Sequence, residues 1–334
     1  MDSKWDNLLF EFRRLGGVAE NIHQKEGKLG RGIFSINPCL KSRINTPIEL
    51  LIRKDDIYLS NNNLRIKDDT EYNNEIKEFF YYYQDNFSWG GGGKESTELF
   101  EKGLSIFPSE IKKLIKINTF IDLEERHKGR WDELIKNQFL NSRKVKFRNK
   151  VVIAPVWDLV NHEVNALPFI RSETFISTPY YEPTESELTF SYGYKSPIKR
   201  AFDYGFFCKE TIVFSLPFEL KLKGTKVKFI CKGLDLEDDK MNFIANESFI
   251  IVDGIPIASN KRKSIIRNYF NQLVKVINID NLSKDIFTEI IRLNYSRRKT
   301  IIEVLNPLDN YSAKIISRAI DYEMELISNN QNCI

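Results

Sequence analysis

From about residue 72 to 140 the apolar positions of this chain fall at helical spacing, as in EIKEFFYYY and SEIKKLIKINTFIDLEERH, while the sequence on either side reads as short strands. The segment HQKEGKLGRGIFSINP has a strand-and-turn pattern, and IELLI at 48–52 is a second short apolar run. Strand signals return in RKVKFRNKVVIAPVWDLV, then in TFIST and ELTFSYG, and continue as short strands to about residue 257. Three helical stretches follow: SIIRNYFNQLVKVI, SKDIFTEIIRL and SAKIISRAIDYEMELI. In the first, Ile265, Ile266, Tyr269, Phe270, Leu273, Val274 and Ile277 keep to one helical face. An opening helix is expected in SKWDNLLFEFRRLGG, with Ser3 and Asp6 as a capping box, Trp5, Leu8, Leu9 and Phe12 on one face, and Gly16–Gly17 as its stop. The order is mixed β, a helical insertion, more β, and a mostly helical last third, so the fold class is α+β.

At 334 residues the chain can bury one large core or two smaller ones. Fifty basic against 46 acidic side chains leave a net charge of +4, which permits a nucleic-acid or membrane partner without demanding one. Cysteines at 39, 208, 231 and 333 are scattered, with no C-x₂-C zinc spacing. The start, MDSKWDNLLFEF, lacks the basic region and apolar run of a signal peptide, and no apolar stretch approaches membrane-spanning length. A cytoplasmic location, no membrane association and a monomer are expected.

Several segments invite a chemical reading. GGGGKES at 90–96 departs from a phosphate loop: Ser88 stands at the first glycine position and Glu95 follows the lysine, so a flexible loop is expected. Glycines 27, 30 and 32 in GKLGRGIFS do not fit G-x-G-x-x-G. They read either as a β-turn needing positive φ or as a turn whose backbone reaches a small cofactor. NSRKVKFRNK puts Lys144, Lys146, Arg148 and Lys150 on one face of an expected strand, either a solvated edge or a surface for an acidic substrate. KRK at 261–263 and RRK at 297–299 lack interleaved aromatics, and no nucleic-acid partner is expected. One of only three histidines, His162, follows Asn161 in WDLVNHEVNA.

Taken in order, LGRGIF, Ser142-Arg143, PVWDLVNH, ELTFSYG, Lys195-Ser196 and DYGFF resemble the motifs of SET-domain methyltransferases. The branch is the one typified by the RuBisCO large-subunit lysine methyltransferase, which also includes an actin histidine methyltransferase. The resemblance covers most of the chain, including FPSEIKKL in the helical insertion. It implies a SET-domain β-fold of small sheets with a pseudoknot and a helical insertion, followed by a mostly α-helical C-terminal domain. The implied segments are 1–60 (N-terminal helix and first part of SET), 61–141 (insertion), 142–210 (second part of SET) and 211–334 (substrate-docking domain).

The resemblance also implies site residues. Gly30, Arg31 and Gly32 would contact S-adenosylmethionine through the backbone. Ser142, Arg143 and Asp158 would line the cofactor region, with Arg143 and Asp158 also approaching substrate. Asn161 and His162 would hold the cofactor's amino-acid part and adenine. Tyr192 is the implied catalytic tyrosine, Tyr204 the implied wall of the target channel, and no metal is implied. The implied activity is methyl transfer to a lysine of a protein docked by the C-terminal domain. Histidine methylation or a catalytically inactive, protein-binding SET fold are the alternatives. Two features depart from the family: Lys195-Ser196-Pro197 stands where Lys-Ser-Asn is common, and the Tyr192–Tyr204 spacing is one residue short of the plant enzyme's.

Overall fold

The computed structural model describes residues 3–221, 228–234, 243–246, 248–261, 263–277 and 283–330. The side chains of Ser3, Ile265, Leu273, Val274 and Ile277, which enter the helix expectations above, lie outside this description, as do Arg262, Lys263's side chain and Cys333.

The chain opens with α1 (Ser3–Arg14), then β1 (Val18–Glu20), β2 (Ile22–Gly27), β3 (Gly30–Ser35), β4 (Arg43–Pro47), β5 (Ile52–Arg53), β6 (Ile57–Ser60) and β7 (Asn63–Ile66). Helices α2 (Asn74–Asn86), α3 (Lys94–Ser105), α4 (Ser109–Thr119), α5 (Leu123–Arg126) and α6 (Trp131–Arg143) follow. Strands return as β8 (Val145–Phe147), β9 (Lys150–Ile153), β10 (Asn161–His162), β11 (Ile170–Arg171), β12 (Phe175–Ser177) and β13 (Glu187–Phe190). After α7 (Pro197–Tyr204) come β14 (Ile212–Phe214), β15 (Phe218–Lys221), β16 (Lys228–Gly233), β17 (Phe243–Ala245), β18 (Phe249–Gly254) and β19 (Pro256–Ser259). Helices α8 (Lys263–Ile277), α9 (Ser283–Leu305) and α10 (Tyr311–Asn329) close the chain. Small sheets, a helical insertion and a helical end agree with the α+β expectation. No described helix is long and apolar enough to cross a membrane.

Compactness divides the chain into two units: residues 1–98 with 129–192, and residues 99–128 with 193–334. The division runs through the stretch expected as an insertion and gives its middle part to the second unit.

In the first unit the sheets run β1-β4-β12-β11, β10-β13-β3-β2 and β5-β9-β8, beside the hairpin β6–β7. Helix α1 buries Trp5, Leu8, Leu9 and Phe12, the face its spacing predicts. Trp157 stacks on Phe190 at 4.5 Å and meets Phe169 edge-on at 5.0 Å, fixing the end of β13 against the turn before β10.

Two expectations are corrected here. NSRKVKFRNK is not one strand: α6 runs to Arg143, and a two-residue reversal at Arg148–Asn149 pairs Phe147 with Lys150. Arg148 sits at φ +53°, a turn conformation that alternation in sequence does not reveal. Lys144, Lys146, Arg148 and Lys150 therefore share no single strand face. In GGGGKES the four glycines form a packed turn, not a loose loop, and KES opens α3. A side chain at Gly93 would collide with the Phe139 ring and come within 2.6 Å of the Ser88 carbonyl. At Gly90 it would collide with the Asp85 carbonyl, and at Gly91 it would come within 2.7 Å of the Arg31 guanidinium. Gly92 has φ +100°, a conformation that favours glycine, whereas the close neighbour of Gly91 is the movable end of Arg31.

The second unit contains the sheet β15-β16-β18-β17 and the pair β14–β19. Pro197 occupies the first turn of α7, where its fixed φ suits a helix start. Arg298 and Glu323 form a fully buried ion pair at 2.6 Å. Its remaining valences are met: Arg298 donates to Asn294 and to the Phe214 carbonyl, and Glu323 accepts from the Ile198 N–H.

Candidate functional site

Three sequence-distant segments meet in the sheet β10-β13-β3-β2. Strand β10 runs parallel to β13, with Asn161 opposite Thr189 and His162 opposite Phe190. Strand β13 pairs antiparallel with β3 through Glu187–Phe34 and Leu188–Ile33. Strands β2 and β3 form a hairpin closed at Gly27–Gly30. Gly30 has φ +90°, so the β-turn reading of GKLGRG holds, and a Cβ there would meet nothing within 4 Å.

The approach to β10 is strained. Val156 is β-branched yet sits at φ +68°, a conformation costing on the order of 1–3 kcal/mol, held by complete burial. It starts the tight turn Trp157–Leu159, which places Asp158 inside the core.

Around Asp158 lies a buried polar cluster. The Tyr83 hydroxyl of α2 donates to Asp158 Oδ1, and Arg143 at the end of α6 donates to the Asp158 carbonyl at 3.0 Å. Arg143 Nη1 stands 3.8 Å from Asp158 Oδ2 and its guanidinium lies 4.9 Å from the Phe139 ring centre. Burial pushes the Asp158 carboxyl up to about 6, against the pull of Arg143 and the Tyr83 hydrogen bond. Burial, then the Asp158 charge, raise Tyr83 well above a free phenol. Asp158 Oδ2 and Arg143 Nε are buried without a hydrogen-bond partner among the described residues. Ser142 Oγ donates to the Phe139 carbonyl at 2.7 Å within α6.

Asn161 Nδ2 donates to the Arg31 carbonyl at 3.0 Å and to Glu187 Oε1 at 2.6 Å. Burial raises the Glu187 carboxyl, Asn161 opposes that rise, and Glu163 adds to it. His162 Nδ1 accepts the Tyr192 backbone N–H at 3.0 Å, so the neutral ring carries its proton on Nε2. The two rings lie 4.9 Å apart. The Tyr192 hydroxyl donates to the Val160 carbonyl at 2.6 Å. That bond fixes where the hydroxyl proton points, so toward any further group the oxygen acts as an acceptor. Burial, then the neighbouring Tyr192, push the Tyr181 phenol above the ordinary range.

No family model and no curated protein matches the chain. Solved structures are similar to it over nearly its whole length, among them these two. One is the SET domain of LSMT bound to lysine and AdoHcy, 12% identical, covering 99% of this chain and 91% of that one, with a TM-score of 0.49. The other is Rubisco LSMT bound to sinefungin and monomethyllysine, with the same identity and coverage and a TM-score of 0.48.

Of the residues singled out in the sequence, Gly30, Arg31, Gly32, Ser142, Arg143, Asp158, Asn161, His162 and Tyr192 all belong to the first unit. Hydrogen bonds or strand pairing link Arg31 with Asn161, Arg143 with Asp158, and His162 with Tyr192. Tyr204 belongs to the second unit, where it closes α7 with its ring 5.0 Å from the Arg200 guanidinium and 5.9 Å from Phe206. The sequence did not single out Tyr83, Tyr181 or Glu187. Glu187 is one more strand residue in ELTF, and Tyr83 one of three consecutive tyrosines in a helix; their partners lie 26 and 75 residues away.

Proposed function

We propose that the chain is a SET-type, S-adenosylmethionine-dependent protein methyltransferase acting on a lysine side chain. The observation that carries the reading is the convergence of the glycine hairpin, Asn161-His162 and Tyr192 on one four-stranded sheet. Three features fit the cofactor: the open approach at Gly30, the Asn161 amide beside the hairpin carbonyl, and the unsatisfied polar atoms of Asp158 and Arg143.

Bound S-adenosylmethionine supplies an activated methyl group. The backbone of Gly30, Arg31 and Gly32 and the residues Asn161 and His162 hold it, with Ser142, Arg143 and Asp158 lining the same region. A lysine amine, with a reference pKa of about 10.4, must lose a proton before it can attack. Aromatic, desolvated surroundings such as Phe190 and Tyr181 favour the neutral amine. Tyr192 orients that amine through its hydroxyl oxygen, its own proton being held by the Val160 carbonyl. A phenol titrating near pH 10 makes a poor base at neutral pH, so alignment and exclusion of water are the protein's main contributions. Residues 211–334 dock the protein substrate.

Calorimetric titration of wild type and Asn161→Ala with S-adenosylmethionine tests the reading. Wild type should bind and the variant should bind more weakly; no wild-type binding overturns it. Labelled cofactor incubated with cell lysate, comparing Tyr192→Phe, then reports activity and the modified residue. Label on histidine replaces lysine as the target, and a fully active Tyr192→Phe refutes the orienting role.

A further inference from the structure

The glycines of GKLGRG do more than turn the chain. Gly30 alone carries the positive φ of the hairpin. Gly27 and Gly32 face the Glu187 carboxylate: a Cβ at Gly27 would come within 2.9 Å of Oε2, and one at Gly32 would collide with Oε1. Gly32 is bare where this carboxylate lies across the hairpin, and Gly27 is bare for both the carboxylate and the Phe34 ring, whose Cζ a Cβ would approach to 2.8 Å. There the carboxylate accepts one of the two Asn161 Nδ2 hydrogens, while the Arg31 carbonyl accepts the other. Both partners are acceptors, so the amide cannot be flipped without setting Oδ1 against two oxygens.

We propose that Glu187 is a positioning residue. It locks the Asn161 amide with Oδ1 turned away from the hairpin, presenting an acceptor to the ammonium group of the cofactor's amino-acid end. This rests on the methyltransferase reading and adds a residue and an atomic role to it. Without Glu187, one Nδ2 hydrogen loses its partner and the amide gains rotational freedom that binding must remove. The substitution Glu187→Gln keeps a carbonyl acceptor within reach, whereas Glu187→Leu removes it.

The test uses the full chain and two probes: S-adenosylhomocysteine, which carries the amino-acid end, and methylthioadenosine, which lacks it. Binding of each is measured by calorimetry for wild type, Glu187→Leu, Glu187→Gln, Asn161→Ala and the Glu187→Leu/Asn161→Ala double variant. Glu187→Leu should weaken S-adenosylhomocysteine by roughly tenfold, about the value of one charge-assisted hydrogen bond. It should leave methylthioadenosine unchanged, and Glu187→Gln should recover most of the loss. The double variant should bind no more weakly than Asn161→Ala alone, because Glu187 acts through that amide. Equal weakening of both probes, additive losses in the double variant, or an unaffected Glu187→Leu overturns the proposal. If wild type binds neither probe, the methyltransferase reading itself falls, and this inference with it.

Discussion

Asp158→Asn isolates the cost of holding a carboxylate inside the first unit. Burial moves this carboxyl from 3.8 to about 6, with Arg143 and Tyr83 opposing the rise. The folded protein therefore keeps a proton that the unfolded chain has already released, and the sign of the pH dependence follows. The stability contributed by that proton is full below pH 3.8 and is lost as pH rises through about 6. At about 1.36 kcal/mol per pH unit, the loss between pH 5 and pH 8 comes to about 1.4 kcal/mol. Asparagine fills the same space, still accepts from Tyr83, and does not titrate. All four tryptophans, Trp5, Trp89, Trp131 and Trp157, lie in the first unit, so fluorescence during urea unfolding reports on that unit. Unfolding free energies for both proteins are compared from pH 5 to pH 8. Wild-type stability relative to the variant should fall by about 1.4 kcal/mol across that range, mostly in its acidic half. A difference that stays constant with pH refutes the argument that Asp158 is lifted by burial.

Other outcomes follow from the same packing. Tyr83→Phe strips Asp158 Oδ1 of its donor; it should cost about 1–3 kcal/mol at neutral pH and move the pH transition above that of wild type, read by the same fluorescence series. Gly93→Ala drives a methyl into Phe139 and should cost about 1–3 kcal/mol in urea unfolding, whereas Gly129→Ala meets no atom within 4 Å and is limited to the strain of its positive φ. Glu323→Gln leaves the buried Arg298 charge unbalanced and should cost about 3–5 kcal/mol, seen as a lowered circular-dichroism melting midpoint. A melting curve that does not move would mean that Arg298 finds another counter-charge.

Much of the secondary structure was legible because it is local. Helices α1, α8 and α10 follow from apolar spacing, and the β2–β3 turn follows from glycine's freedom at positive φ. The misread segments share a cause. Alternation in NSRKVKFRNK is preserved through a two-residue reversal, so period alone could not separate one strand from a hairpin. GGGGKES looks loose in composition, but Gly90 is packed on the Asp85 carbonyl, Gly93 on the Ser88 carbonyl and on Phe139 46 residues away, and Gly92 needs its positive φ. Within the candidate site, the GRG and Asn-His segments marked in the sequence meet on one sheet, and the Tyr-Gly segment is bonded to them through His162. Tyr83 and Glu187 carried no such signal, since nothing in EFFYYYQ or ELTF marks which polar residue turns inward.

The sequence by itself determined helices such as α1 and α10 and the turn between β2 and β3, because propensity, periodicity and glycine stereochemistry act within a few residues. It also supplied the residue types a methyl-transfer site would use. Only the tertiary structure decided that Asp158 is buried and lifted, that Glu187 lies over two bare glycines, and that Tyr192 spends its proton on Val160. Those are properties of burial and of partners brought together from distant segments, by α2 and α6 around Asp158 and by β13 between β10 and β3, and no local pattern encodes them.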